Sequence, residues 1–240
     1  MDTAEVASKL VKWIQSTVSA AGGKGVVLGL SGGIDSSVLA VLCKQAFPEN
    51  TLGIIMPCYS NSDDEKHARM VSEKFGIETK KVDLDPVFDI FLKTAGANRE
   101  EDSILAIANI KARLRMLTLY YYANKLSYLV AGSSDRSELT VGFFTKYGDG
   151  ASDFMPISRL LKTQVKEMGK YLGVPQVIVE KPPSPGLVPG RTAESELGIT
   201  YEEIDRYIVT GKASPEIEGR IESMMKRSEH KRRLPPSPDL

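Results

Sequence analysis

Residues 29–37 of this 240-residue chain read GLSGGIDSS and lie between two apolar stretches. The run that leads into them, GVVLGL at 25–30, is short and uninterrupted, which is typical of a buried parallel strand. After them, Val38, Leu39 and Leu42 recur at helical spacing. The sequence therefore predicts a strand that turns through small residues into a helix. The N–H groups of such a turn converge and the helix dipole adds positive potential, so the turn suits an anion.

The glycines of this turn do not match the Walker A motif or the Rossmann dinucleotide-binding motif. The Gly-Lys-Ser/Thr ending of a Walker A motif is absent, and so is G-x-G-x-x-G. Asp35 is unusual in a phosphate cradle, because a carboxylate repels phosphate unless a cation lies between them. Mg²⁺, which prefers carboxylate and phosphate oxygens, is the natural bridge. The plainer alternative is a Gly-Gly turn in which Asp35 only caps the helix.

Strand and helix patterns alternate along the rest of the chain. Strands are predicted at 25–30, 51–57, 79–84 and 126–132, and helices at 3–20, after residue 33, from Ser62, from Asp85, at 102–125, at about 158–172 and from Pro215. Thr200 and Glu203 have the spacing of a capping box. Strands separated by helices indicate an α/β fold, a parallel sheet with helices on both faces, in a single domain over residues 1–240.

Two segments depart from this alternation. Residues 180–198 (EKPPSPGLVPGRTAESELG) are rich in proline and glycine and are too long for an ordinary connection. They are therefore predicted to form a mobile lid. The last residues, 234–240 (LPPSPDL), are predicted to be a flexible tail.

The composition limits the classes of protein to which the chain can belong. Its 31 basic and 31 acidic residues cancel, which argues against a protein that coats nucleic acid. No stretch approaches the roughly 18 apolar residues that span a bilayer, and the N-terminus lacks the apolar core of a signal peptide. We therefore expect a cytoplasmic protein with no membrane partner. Cys43 and Cys58 are not spaced as C-x-x-C, so they are predicted to be buried hydrophobic residues rather than disulfide or zinc cysteines.

The motif SGGIDSS at 31–37 resembles the signature of the N-type ATP pyrophosphatases, which cleave ATP to AMP and pyrophosphate while they adenylate a substrate oxygen. Six further motifs narrow the resemblance to the NAD synthetase family. They are NIKARLRM (109–116), GSSDRSE (132–138), TKYGDGASDFMPI (145–157), LLKTQVK (160–166), EKPPSP (180–185) and SEHKRR (228–233). The resemblance implies an adenine nucleotide alpha hydrolase-like fold and amidation of deamido-NAD by ammonia, with ATP as co-substrate.

The implied chemistry explains why ATP is needed. A carboxylate is a poor electrophile at neutral pH, because its charge repels nucleophiles and oxide is a very poor leaving group. Adenylation of the nicotinic acid carboxylate supplies AMP as the leaving group. The ATP triphosphate is therefore expected over residues 29–36, with Mg²⁺ neutralising the charge that develops on pyrophosphate.

The resemblance assigns the site residues in groups. ATP is expected at Gly29, Leu30, Ser31, Gly32, Gly33, Ile34, Asp35, Ser36, Ser133, Lys162 and Ser184. Deamido-NAD is expected at Asn109, Arg113, Lys146, Asp153, His230 and Lys231, and Mg²⁺ at Asp35 and Glu138. Asp149 is expected to orient ammonium or to take its proton. The chain departs from the family pattern at Ser133 and Ser184, where threonine is usual, and in the order Ser-Ser-Asp-Arg after Gly132.

Several of these residues have a plainer interpretation. Taken alone, Glu138 is typical of a solvated surface acid, Lys162 of an exposed lysine, and residues 226–233 (KRSEHKRR) of a solvated basic tail. The tyrosine run at 120–122 favours a subunit interface, where aromatic residues are common, but it is also compatible with a place in the core. The family resemblance implies a homodimer.

The nitrogen donor and the rival functions can be ranked from the same features. The short stretch before Gly29 leaves no room for the amidohydrolase domain of glutamine-dependent relatives, so the expected donor is ammonia, either free or handed over by a separate protein. A tRNA-thiolating relative would need cysteines at spacings that this chain lacks, and a GMP synthetase would carry a different C-terminal dimerisation domain. A non-catalytic ATP-binding module would keep residues 29–36 but has no reason to retain Glu138, Lys162 and the lid.

Overall fold

The computed structural model describes residues 2–98, 101–188 and 190–238. Its strands are β1 (Val26–Gly29), β2 (Thr51–Ile55), β3 (Glu78–Lys81) and β4 (Leu129–Val130). They form one parallel sheet in the order β3-β2-β1-β4, with Val26 of β1 opposite Thr51 of β2 and Leu129 of β4. The predicted parallel sheet is confirmed.

Helices connect and flank these strands. They are α1 (Thr3–Ala20), α2 (Ile34–Ala46), α3 (Ser62–Phe75), α4 (Asp85–Ala95), α5 (Ile104–Leu126), α6 (Arg136–Val141), α7 (Lys162–Leu172), α8 (Gln176–Val179), α9 (Ala193–Leu197), α10 (Tyr201–Thr210) and α11 (Pro215–Ser228), followed by a 3-10 turn (Glu229–Lys231). The predicted helix starts at residues 62, 85 and 215 are confirmed. The capping box of Thr200 and Glu203 is also present and begins α10.

Several predicted boundaries were wrong. The strands expected at 51–57 and 79–84 end earlier, at Ile55 and Lys81. The strand expected at 126–132 has only two residues, because α5 continues to Leu126 and Ser127 ends that helix with a φ of +58°. The helix expected at about 158–172 begins only at residue 162. Just before it, the carbonyl of Leu160 accepts a hydrogen bond from the Arg136 N–H at 2.8 Å, which holds the chain against the start of α6.

Both faces of the sheet are covered by helices. Val26 and Leu28 pack in a cluster that includes residues of α1, α2 and α7, whereas Val27 points to the other face and packs with residues of α4 and α5. Coverage of both faces explains why the central strands β1 and β2 are apolar and buried, whereas the edge strand β3 is polar and largely exposed. Cys43 and Cys58 are free, buried thiols in these two clusters, as predicted.

A third, smaller cluster joins α6, α9, α10 and α11 through Val141, Leu197, Tyr201, Ile204 and Ile221. It sets α10 against α6 and α7, which carry the charged residues of the site described below. Among the described residues, no helix combines the length and the apolar character that crossing a membrane requires.

Candidate active site

The glycine turn is held in one conformation by its own residues. Gly32 has a φ of +75°, and a Cβ there would lie 2.2 Å from the carbonyl oxygen of Asp64, so only glycine fits. Ser36 Oγ accepts a hydrogen bond from Ser31 N at 3.2 Å and donates one to Gly33 O at 3.1 Å. Gly33 is the N-cap of α2, so the first N–H groups of that helix have no partner within it. The turn therefore has the shape that the sequence predicts for an anion cradle.

Beside this turn, Lys162 lies at the centre of three carboxylates. It is the first residue of α7, and its side chain is fully buried. Its Nζ lies 2.8 Å from Asp35, 2.8 Å from Glu138 and 2.9 Å from Asp135. Asp35 is in the first turn of α2, whereas Asp135 and Glu138 form the capping box of α6. The alternative of an exposed lysine is therefore wrong, since Lys162 joins carboxylates from two other elements.

Burial and mutual repulsion set the charges of this cluster. Burial is the main cause that raises the pKa of Glu138 to about 8 and that of Asp135 to about 6, and the neighbouring carboxylates add to the rise. Burial lowers the pKa of Lys162, but the three carboxylates outweigh it and hold that pKa well above its ordinary value. Lys162 is therefore an ammonium at neutral pH, and the buried carboxylates bind protons more readily than free ones.

The three carboxylates also suit a hard cation. One oxygen from each of Asp35, Asp135 and Glu138 lies within 4.8 Å of the other two. Oδ2 of Asp135 is buried and, among the described residues, has no hydrogen-bond partner, although Lys162 lies close to it. Carboxylate oxygens are the ligands that Mg²⁺ prefers in proteins. The predicted pair of Asp35 and Glu138 therefore fits the ion, and Asp135 adds a third oxygen donor.

Helix α10 fixes the position of Lys162 from two directions. The carboxylate of Asp205 accepts hydrogen bonds from Thr163 N at 2.9 Å, from Thr163 Oγ1 at 2.8 Å and from Ser137 Oγ. Ser137 Oγ in turn accepts a hydrogen bond from Lys162 N at 3.1 Å. One turn before Asp205, the ring of Tyr201 lies 4.8 Å from Lys162 Nζ, close enough for a cation–π contact. The backbone of Lys162 is thus held by Ser137, which Asp205 of α10 binds, and its side chain lies against Tyr201 of the same helix.

A cavity of about 310 Å³ opens next to this cluster, where the parallel strands end. Its walls come from the glycine turn, the ends of β2 and β4, α5, and the predicted lid. Every predicted ATP-binding residue from Gly29 to Ser36 lines it except Gly32, which packs against α3. Ser133 and Ser184 line it too, whereas Lys162 lies behind the wall.

The predicted lid, residues 180–198, is fastened to two helices. Lys181 Nζ lies 2.5 Å from Asp64 Oδ1 and 3.3 Å from His67 Nδ1, both on α3. Lys111 Nζ of α5 donates a hydrogen bond to the carbonyl of Leu187 at 3.0 Å. These contacts place the segment against the cavity, and its mobility stays a prediction.

Most of the residues predicted to bind deamido-NAD gather around the loop 142–148 and do not line the cavity. Lys146 Nζ donates to the carbonyl of His230 at 2.8 Å, and Arg113 donates to the carbonyl of Lys146 at 3.4 Å. The basic segment at 226–233 is therefore not a freely solvated tail, because His230 in it is bound to this loop.

The remaining predicted residues divide between the same loop and the edge of the sheet. Lys231 Nζ donates to two carbonyls of the loop, at 2.9 and 2.8 Å, and Asn109 accepts a hydrogen bond from a loop threonine at 2.7 Å. Asp153 lies apart from them, since it accepts hydrogen bonds from Val130 N at 2.7 Å and Tyr120 OH at 3.3 Å. The structure thus brings together all of the predicted dinucleotide residues except Asp153.

Asp149 lies between the loop and the cavity. Its Oδ1 accepts a hydrogen bond from Thr145 N at 2.9 Å, and its side chain lines the cavity. The walls that surround it raise its pKa through desolvation. A carboxylate with a raised pKa that opens onto a cavity suits the predicted contact with ammonium.

Comparison with known proteins identifies the family. A family model described as NAD synthase matches residues 6–235. The chain belongs to the NAD synthase family. The NH(3)-dependent NAD(+) synthetase of Carboxydothermus hydrogenoformans is 47% identical to it over 237 residues, which cover 98% of each chain. The family resemblance seen in the sequence is thereby confirmed.

Solved structures agree with the NAD synthase assignment. An NMN synthetase from Francisella tularensis superposes with a TM-score of 0.95 at 37% identity and full coverage of both chains. An NH3-dependent NAD synthetase from Campylobacter jejuni superposes with a TM-score of 0.82 at 31% identity, again with full coverage. These likenesses confirm the predicted adenine nucleotide alpha hydrolase-like fold.

Four residues around this NAD synthase site were missed by the sequence reasoning. Asp135 had a usable signal, because its three-residue spacing to Glu138 is that of a capping box. Tyr201 and Asp205 have no such signal, since they approach Lys162 only through the packing of α10. Lys181 was included in the lid but was not expected to pair with α3.

Proposed function

We propose that this chain joins ammonia to the nicotinic acid carboxylate of deamido-NAD, consuming ATP and giving NAD, AMP and pyrophosphate. The observation that carries the proposal is the convergence of Asp35, Glu138 and Lys162 beside the glycine turn, in a chain that the NAD synthase model matches over nearly its full length. Ammonia-dependent members of the family supply the reaction class, a ligase that forms a carbon–nitrogen bond.

The proposed reaction has two steps. In the first, a carboxylate oxygen of the substrate bonds to the α-phosphorus of ATP, and the bond from that phosphorus to the pyrophosphate oxygen breaks. In the second, ammonia adds to the acyl carbon, the carbon–oxygen bond to AMP breaks, and nitrogen loses a proton. Asp149, which lines the cavity, is proposed to orient ammonium and to take the proton that converts it to ammonia before this addition; the proton lost after addition passes to solvent.

Residues of the chain are proposed to bind the triphosphate and the divalent ion in the first step. The N–H groups of the turn at 29–36 and the positive end of α2 are proposed to hold the triphosphate. Asp35, Glu138 and Asp135 would hold Mg²⁺, which when bound neutralises charge on the departing pyrophosphate. Lys162 orients the three carboxylates. Its predicted contact with an ATP phosphate stays a prediction, because Nζ is engaged with the carboxylates.

A second acceptor follows from the likeness to the Francisella protein, which is called an NMN synthetase. Its TM-score of 0.95 exceeds the 0.82 of the Campylobacter NAD synthetase. Nicotinic acid mononucleotide carries the same nicotinate carboxylate as deamido-NAD and lacks the AMP half. Both substrates would undergo the same two steps, so the cavity chemistry alone does not separate them.

An assay with purified chain separates these candidates. ATP, MgCl₂ and ammonium are supplied with deamido-NAD or with nicotinic acid mononucleotide, and the amide product and AMP are quantified. We expect one AMP per NAD, and a kcat/KM at least about tenfold higher for deamido-NAD, equivalent to about 1.4 kcal/mol. A preference for the mononucleotide would establish the second candidate. ADP in place of AMP, or equal rates with glutamine as the only nitrogen source, would overturn the proposed reaction.

We also propose that the chain forms a homodimer through α5. Leu117 and Tyr121, one turn apart on the same face of this helix, are 63% and 57% exposed and form an apolar surface on it. Leu117→Glu should convert a dimer into monomers in sedimentation equilibrium, because a charge would have to be buried in the interface. Val209→Glu on α10 is the matched control, since Val209 is 67% exposed, close to the 63% of Leu117. A wild-type monomer, or a dimer that survives Leu117→Glu, would refute this interface.

A further inference from the structure

Arg115 is a cationic residue of the cavity wall that the assignments above leave without a role. It projects from α5, it is half-buried, and it lines the same cavity as the glycine turn. Its Nε donates to the carbonyl of Met56 at 3.2 Å, and its Nη2 donates to Ser60 Oγ at 3.1 Å. Both acceptors are neutral. Within the described ranges, no carboxylate lies within 4 Å of the guanidinium.

In the part of the chain that the structure describes, the Arg115 guanidinium therefore has N–H donors without acceptors and a positive charge without a carboxylate partner. A guanidinium carries five N–H donors and stays charged in proteins, and the two hydrogen bonds above use two of them. A cation that protein surrounds without a carboxylate partner raises the free energy of the folded state, because its hydration is only partly replaced. Desolvation lowers the pKa of Arg115, and the more distant carboxylates of Asp149 and Asp64 only partly oppose that change. An anionic ligand in the cavity would supply the missing partner.

We propose that Arg115 binds an oxyanion of a nucleotide substrate within this cavity, an inference that rests on the proposed function. The planar fork of a guanidinium matches carboxylate and phosphate oxygens through paired hydrogen bonds. Two sources offer that chemistry here, a phosphate of ATP and the carboxylate or phosphate of the acid dinucleotide. Lys111, one turn earlier on α5, is engaged with the Leu187 carbonyl of the lid. Asp64 and Asp149 also line the cavity, so the ligand must present its anionic group to Arg115 rather than to these acids.

A purely structural role is the competing explanation. Arg115 connects α5 to Met56 and Ser60, which lie in the connection from β2 to α3, and it would then serve only to hold that connection. Such a role would change the stability of the fold and the affinity for both substrates together. Anion binding would instead weaken one ligand selectively.

Isothermal titration calorimetry on the full chain distinguishes the two roles. Mg·ATP, deamido-NAD and NAD are each titrated separately into wild type, Arg115→Met, Arg115→Lys and Ser60→Ala. We expect Arg115→Met to weaken one substrate about 10- to 100-fold, the range for losing a hydrogen-bonded charge pair, and to leave the other within about twofold. Arg115→Lys should recover part of the affinity because it restores the charge without the fork. Ser60→Ala removes the hydrogen bond from Arg115 together with the one from Cys58 N, and keeps the guanidinium. It should therefore not reproduce the selective loss.

The pattern of losses identifies the oxyanion. A loss confined to Mg·ATP assigns a phosphate of ATP, whereas a loss confined to deamido-NAD and NAD together assigns a phosphate of the dinucleotide. A loss for deamido-NAD without a loss for NAD, which has an amide in place of the carboxylate, assigns the carboxylate. Affinities that stay within twofold for every ligand, or that fall equally for all, would overturn the proposal. Wild-type turnover, measured in parallel, tests the proposed function separately.

Discussion

Asp35→Asn should lower the kcat of NAD formation about 1000-fold or more while the chain stays folded. The substitution removes the negative charge that is proposed to hold the divalent ion, but the amide oxygen can still accept a hydrogen bond from Lys162, which lies 2.8 Å from the carboxylate. The ammonium also keeps its contacts with Glu138 and Asp135. Steady-state kinetics measures the expected fall in kcat, and thermal unfolding tests whether the variant keeps the stability of wild type.

The chain offers a matched control for this change. Asp63 is also an aspartate in the first turn of a helix that flanks the sheet, and it pairs with Lys66 at 2.7 Å on the exposed side of α3. Asp63→Asn should therefore keep its kcat within about twofold, because an exposed pair contributes little. Activity of Asp35→Asn within tenfold of wild type would remove Asp35 from the metal site.

Lys162→Met should lower the free energy of unfolding at pH 8 by about 3 kcal/mol, the scale for removing one partner of a buried ion cluster. The change leaves Asp35, Asp135 and Glu138 with oxygens within 4.8 Å of one another and no ammonium between them. Urea titrations with and without MgCl₂ measure the loss. The divalent ion should restore more stability to the variant than it adds to wild type, because it replaces the missing cation.

The pH dependence of this loss has a definite sign. Carboxylates with a raised pKa in the folded state bind protons there more readily than in the unfolded chain, so folding is favoured at low pH and weakened as pH rises. The pKa of Glu138 is already raised to about 8 with Lys162 present. The loss should therefore be smaller at pH 5.5 than at pH 8.

Lys166→Met, one turn later on α7, is the control and should change the free energy of unfolding by less than about 0.5 kcal/mol. A Lys162→Met protein as stable as wild type would contradict the described cluster.

The local part of this site could be predicted from the sequence. The turn at 29–37 needs only neighbouring residues, such as the glycine that adopts a positive φ at 32 and the helix that begins at Ile34. The approach of Glu138 to Asp35 follows from the rule that parallel strands present their carboxyl ends at one edge. Both inferences use short-range patterns or topology.

The long-range part could not be predicted in the same way. Lys162 meets Asp35 across 127 residues, and its burial depends on how α10 packs against α7. A lysine at the start of a helix has the same local pattern whether it is exposed or buried. The shortness of β4 was missed for another reason, because α5 continues to Leu126 and is ended by Ser127 in the left-handed region. The apolar run at 126–132 carries no sign of that helix end.

We expect a substrate carboxylate to be adenylated next to the turn at 29–36. Deamido-NAD with ¹⁸O at both carboxylate oxygens tests it most directly, with AMP, pyrophosphate and NAD analysed by mass spectrometry after turnover with ATP and unlabelled ammonium. We predict that each AMP carries one ¹⁸O, because the carboxylate oxygen leaves with the adenylyl group, and that pyrophosphate carries none. Unlabelled AMP, or label in pyrophosphate or in released phosphate, would contradict the account.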